Sequence, residues 1–141
     1  MARSVEDIEE WARAYVEAQK AYVKAPKERK RLTGDDPFWW AVERFMELIH
    51  RDGEVEPEDC WKAILRILEL DPEPEVIAIL AAGPLEDLIN HHGPQFIDRI
   101  EAEARRNSKF RYLLGGVWES STPEIWARVE ACRGRSESYG V

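Results

Sequence analysis

Only two cysteines occur in 141 residues, Cys60 and Cys132, and no C-x-x-C spacing joins them. That excludes a disulfide-stapled scaffold and a cysteine-ligated zinc site. Each falls within an apolar helical pattern, so both read as buried free thiols of a reducing compartment. Histidine is equally scarce, with His50, His91 and His92 alone. The H-E-x-x-H pattern is missing, so neither a metal nor any other cofactor is expected. Also missing are the G-x-S-x-G nucleophile elbow, the G-x-x-x-x-G-K-[ST] phosphate cradle and the G-x-G-x-x-G dinucleotide turn. No apolar run approaches the ~20 residues that span a bilayer. The N-terminus, "MARSVEDIEEW", is acidic and lacks the apolar core of a signal peptide. The expected address is the cytoplasm.

What is abundant is negative charge and tryptophan. The chain has 28 acidic against 20 basic residues, a net charge of −8. Nine of the acids lie between Asp52 and Glu75, opposed there only by Lys62 and Arg66. An acidic face repels nucleic acid and anionic membrane and draws a basic protein partner. Glu54, Glu56, Glu58 and Asp59 are its candidate binding residues, although such a window also serves solubility alone. The basic run Lys24, Lys27, Arg29, Lys30 and Arg31 has no aromatics interleaved, a poor nucleic-acid signature. Six tryptophans predict a core anchored mostly by large indoles.

Helical spacing dominates the chain. Ile8, Trp11, Ala12, Tyr15, Tyr22 and Val23 form one stripe, started by Ser4 with Asp7 and fading before Pro26. The basic stretch and "TGDDP" then read as a linker. A helix capped by Asp36 with Pro37 first should bury Phe38, Ala41, Val42, Phe45, Leu48 and Ile49 and end at Asp52-Gly53. Pro57 opens another, burying Cys60, Trp61, Ile64, Leu65 and Leu68. Val76 to Ala82 is apolar without interruption, which predicts a helix buried on nearly every side. Segments Pro84–His92 and Pro94–Arg106, a short turn near Ser108–Leu114 and a helix capped by Thr122 complete the chain. The prediction is an all-α fold, an irregular multi-helix bundle or a HEAT-like antiparallel helical stack. It is expected to form a single domain over residues 1–133, with a frayed tail over 134–141.

The densest cluster is "LAAGPLEDLINHHGPQF", Leu80 to Phe96. Gly83 fits a helix end, Pro84 the first position of the next helix, and Glu86 the third, where a carboxylate meets free backbone N–H groups. Asp87 and His91 sit one turn apart, and Gly93 suits a left-handed stop. A carboxylate and an imidazole at that spacing also suit acid–base chemistry. No catalytic residue is assigned, but Glu86, Asp87, His92 and Arg111 are the candidates. In "LLGGVW", Leu113 to Trp118, the glycine pair predicts a tight turn that folds Val117 and Trp118 onto the core. The alternative is an edge exposing Trp118 to a partner.

"AAGPLEDLINHHG" (Ala81–Gly93) and "FRYLLGGVW" (Phe110–Trp118) together resemble a bacterial family of small domains of unknown function. That family carries A-A-G-P-L-E-D-L, then H-G, then F-R-x-L-L-G-G-V-W. The resemblance covers roughly residues 60–126 and implies a helical domain, without an activity. It marks Glu86, Asp87, His92, Glu101, Arg111 and Trp118 as matching positions and leaves His91 out. The family favours Asp-Pro before the Phe-Arg pair. Asn107-Ser108-Lys109 stands there in this chain, which implies a turn of different construction.

These observations lead to a small cytoplasmic protein-binding module, such as an immunity or antitoxin-like protein masking a basic partner. A hydrolase or small-ligand binder using Glu86, Asp87, His92 and Arg111 is the rival. A structural adaptor or homodimer using Trp39 and Trp40 is the third possibility.

Overall fold

A serine at position 4 sets the first helix. In a computed structural model that describes residues 2–50 and 53–134, Ser4 Oγ accepts the Asp7 N–H at 3.1 Å and opens α1 (Val5–Lys24). Among the described residues the elements are all helical and no strand occurs. By their internal contacts they group into two compact units, Met1–Ile77 and Ala78–Val141.

In the first unit, α1 ends at Ala25, where the following proline disfavours helix. A 3-10 turn over Pro26–Glu28 and α2 (Arg29–Asp35) replace the expected linker. Leu32 is the one side chain α2 buries, and Arg29 Nε donates to the Tyr22 carbonyl at 3.1 Å. Tertiary docking on so few contacts leaves no periodic signature. Asp36 Oδ1 accepts the Phe38 N–H at 2.7 Å, so the acid caps a turn and α3 (Trp40–Met46) begins later than Pro37. Ala41, Val42, Phe45 and Leu48 are buried, whereas Phe38 and Ile49 are exposed. Gly53 lies within the described part, but the expected stop at Asp52 falls outside it.

The core of this unit is aromatic. Trp11 is fully buried, its Nε1–H donates to the Ala41 carbonyl at 2.9 Å, and its ring lies 4.5 Å from Phe45. Tyr15 meets Phe45 edge-on at 5.3 Å. α4 (Pro57–Glu69) packs against α1 and buries Cys60, Trp61, Ile64, Ile67 and Leu68, while Leu65 is only half-buried. Arg66 makes a two-pronged pair with Glu9 (2.7 and 3.1 Å) that holds the Glu9 carboxyl below its ordinary value. Trp39 is buried against Tyr22, and Trp40 is half-buried beneath the Arg44 guanidinium at 4.4 Å. Adjacent residues on a helix point about 100° apart, and here one indole turns into the packing while its neighbour stays half-buried under a cation.

α5 (Pro74–Leu80) runs across the division of the chain. Val76, Leu80 and Ala81 are buried, but Ala78 and Ala82 are exposed, so the run is buried on one side rather than all round. Alanine is apolar enough to extend a hydrophobic pattern and small enough to face water at little cost.

In the second unit, α6 (Glu86–Arg106) packs against α7 (Ser108–Gly115) and α8 (Pro123–Cys132). Its core is mostly aliphatic: Leu85, Leu88, Ile89, Ile97, Ile100, Leu113, Leu114 and Val129 join Phe96 and Phe110. The segment expected as a short turn is α7, capped by Asn107 Oδ1, which accepts the Lys109 and Phe110 N–H groups at 3.1 and 3.2 Å. The amide oxygen of Asn107 thus supplies the cap of this helix. Thr122 and Pro123 start α8 as their chemistry predicts.

Candidate functional site

Gly83-Pro84 does not break the chain. Ala81–Leu85 forms a π-helical turn that carries α5 directly into α6, with Pro84 inside it. A proline in a helix lacks one N–H and crowds the carbonyl a turn earlier, and the wider π turn accommodates both. Glu86 is therefore not at an open helix start, because its N–H already bonds the Ala81 carbonyl. Its carboxylate instead accepts the Trp118 N–H at 3.0 Å, 32 residues away.

The second corner bends the helix without a left-handed residue. His92 leaves helical geometry at φ −137°, ψ 26°, and Gly93 keeps a negative φ, contrary to the expected left-handed stop. Gly93 is required for room: a Cβ there would lie 2.7 Å from Ser121 Oγ and 3.0 Å from Ile125 Cγ2. Ser121 itself sits at φ 66°, a conformation non-glycine residues rarely adopt. Its N–H is held by Asn90 Oδ1 at 3.1 Å. Glu86 and Asn90 are one helical turn apart, so a single face of α6 grips the loop between α7 and α8 at two points.

That loop divides its two hydrophobic residues. Val117 is buried, while Trp118 is 76% exposed. The turn therefore seats only one of the pair expected in the core, and Trp118 takes the outward alternative. Beside it lies a recess of about 400 Å³ lined by Gly115, Gly116, Trp118, Glu119, Trp126 and Arg133, among others. Arg133 lies 5.0 Å over the Trp126 ring, donates to the Val117 carbonyl at 2.8 Å and pairs with Glu130 at 3.3 Å. Arg133, Trp126 and Asn90 carry no motif. The one sequence signal is spacing: Trp126, Glu130 and Arg133 follow at i, i+4 and i+7.

Two of the four catalytic candidates are engaged by backbone groups. Arg111 Nη1 donates to the Ala104 carbonyl at 2.5 Å and closes the end of α6. Glu86 is engaged by the Trp118 backbone. Asp87 and His92 are half-buried and make no side-chain hydrogen bond among the described residues. Burial raises the Asp87 carboxyl above its ordinary value, opposed by neighbouring His91, and burial lowers His92. Glu101 belongs to a separate lock, in which Arg128 of α8 reaches Glu101 at 2.6 Å and Asp98 at 2.7 Å. The arginine holds the Glu101 carboxyl below its ordinary value. Among the described residues no three His, Cys, Asp or Glu side chains cluster as metal ligands.

In the first unit, Glu54 and Glu56 are exposed and Glu58 is half-buried at the start of α4. Asp59 departs from the surface reading. It is fully buried, with both carboxylate oxygens accepting the Arg3 N–H at 3.2–3.3 Å. At the third position of α4 it turns inward to hold the segment leading into α1. Both cysteines are free thiols; Cys60 is buried and pushed up to about 12, Cys132 only half-buried. No described helix is long and apolar enough to cross a membrane.

No curated protein and no solved structure matches the chain. A family model does, over residues 28–137, and within that span lie both corners, the loop they grip and the Trp118 recess. On that match, the chain belongs to the family of unknown function (DUF6869).

Proposed function

We propose that this is a protein-binding module of the cytoplasm whose contact surface includes Trp118. Its most concrete form is an immunity or antitoxin-like protein that masks a basic partner. The observation that carries the reading is the 76% exposed indole of Trp118 on a loop fixed from behind by Glu86. An exposed tryptophan on a held loop is a pre-organised anchor, and such residues dominate interface energetics. The net charge of −8 and the exposed Glu54 and Glu56 supply long-range attraction for a basic protein.

The test is affinity capture from an extract of the source cell, with Trp118→Ala beside the native chain. The expected result is a specific partner lost on Trp118→Ala while the melting temperature stays put. Replacing Glu54, Glu56 and Glu58 by Gln should slow capture at low salt and change little at high salt. Identical capture by the native chain and Trp118→Ala would end this reading.

One observation favours the small-ligand alternative: Asp87 and His92 are half-buried, unpaired and shifted towards their neutral forms. Shifted groups of this kind mark acid–base sites when they face substrate. Hydrolase activity abolished by His92→Asn, with stability intact, would establish it.

A further inference from the structure

The recess beside Trp118 is lined by two tryptophans and two glutamates, and one tryptophan and one glutamate of these hold a cation. Trp126 and Glu130 together hold a guanidinium: Arg133 sits 5.0 Å over the indole and 3.3 Å from the carboxylate. Trp118 and Glu119 repeat the indole-plus-carboxylate combination at the same rim. There the indole is open, both residues are exposed, and Glu119 carries no partner among the described residues. The recess keeps about 400 Å³ with Arg133 already in its wall, and Gly115 and Gly116 line it without side chains. Two carboxylates face one cation, so the recess has a net negative charge.

We propose that the Trp118–Glu119 half receives an arginine side chain of the partner, as the Trp126–Glu130 half receives Arg133. The proposal rests on the contact reading above and assigns its chemistry. Arginine fits better than lysine because a planar guanidinium stacks on an indole while its edge N–H groups reach a carboxylate. A compact ammonium holds its water more tightly and gains less from the ring. Arg133 shows that a guanidinium is accommodated in this recess.

The experiment uses the full chain and N-acetyl-arginine amide as probe, followed by the indole N–H resonances of Trp118 and Trp126. N-acetyl-lysine amide and N-acetyl-norleucine amide serve as comparators. The arginine probe should shift the Trp118 signal saturably in the millimolar range, more strongly than lysine, with norleucine ineffective. Glu119→Gln, an exposed change that leaves the fold alone, should weaken the arginine probe by about tenfold. Equal responses to arginine and norleucine, or an unchanged affinity in Glu119→Gln, would overturn the assignment. The two failures are distinguishable. Loss of the cellular partner in Trp118→Ala without any arginine response removes the arginine site and keeps the contact surface. An arginine response with the partner retained by Trp118→Ala keeps a guanidinium-binding recess but overturns both the Trp118 contact and its use by an arginine of the partner.

Discussion

The two units of this chain use the same residue to opposite ends. Residues 1–77 hold Trp11, Trp39, Trp40 and Trp61, three of them buried and the fourth beneath an arginine. Residues 78–141 hold Trp118 and Trp126, one open to solvent and the other half-buried. Charge is divided as unevenly. The first unit has 19 acidic and 12 basic residues, the second nine and eight. The comparison teaches that placement decides what a tryptophan does. On the apolar stripes of α1 and α4, Trp11 and Trp61 turn inwards, whereas behind a glycine pair, with its backbone N–H fixed by Glu86, Trp118 is presented outwards. Acidity and the exposed tryptophan, which a reading of composition merges into one sticky acidic protein, belong here to different units.

The comparison can be broken most forcefully at Trp11. Trp11→Ala removes a fully buried indole and should cost about 3–5 kcal/mol in urea unfolding. A loss below about 1 kcal/mol would mean that the aromatic core does not carry the first unit. In the second unit the sensitive point is a glycine. Gly93→Ala drives a methyl into Ser121 and Ile125 and should cost about 1–3 kcal/mol. Adding Ser121→Gly, which removes the crowded hydroxyl and frees a residue at φ 66°, should restore much of that. Failure of the rescue would show that the bend at His92 has another cause.

Smaller effects sharpen the contrast. The Tyr15 hydroxyl is buried with only the poorly aligned Gln19 side chain to meet it, and burial raises its pKa, opposed by Gln19. Tyr15→Phe should therefore change stability by no more than about 1 kcal/mol, the smallest effect of any aromatic change in this core. A clear loss would show that Gln19 holds the hydroxyl firmly. At the second unit's bend, burial holds His92 below the ordinary 6.5. The unfolded chain takes up that proton at a higher pH than the folded one, so stability should fall as pH drops through 6.5 towards the lowered folded value. His92→Asn should flatten that fall, measured as midpoint against pH. An unaltered slope would assign it to other groups.

Helices were legible wherever an apolar stripe met a chemical start signal, as at Ser4, Pro57 and Thr122. α2 was not, because it docks through one leucine and an arginine. The candidate site was legible as a place and misread as a mechanism. Glycine, proline and acid at Gly83–Glu86 match a helix start residue for residue. Only three-dimensional proximity reveals that a π turn continues the helix and that the carboxylate faces Trp118. Asp59 was misread for a related reason, since an acid in a first turn looks alike whether it faces water or a backbone N–H from Arg3. The fate of "GGVW" turned on which of two adjacent hydrophobic residues went inwards, and no periodicity exists in a loop to decide it.

The central claim is that Trp118 is presented for a partner rather than left over from the core. Hydroxyl-radical footprinting of the chain, alone and with the protein it captures, tests this most directly. Trp118 should oxidise readily alone and be shielded in the complex, with Trp11 and Trp61 slow in both. Oxidation of Trp118 at the same rate in the complex as alone would contradict the account.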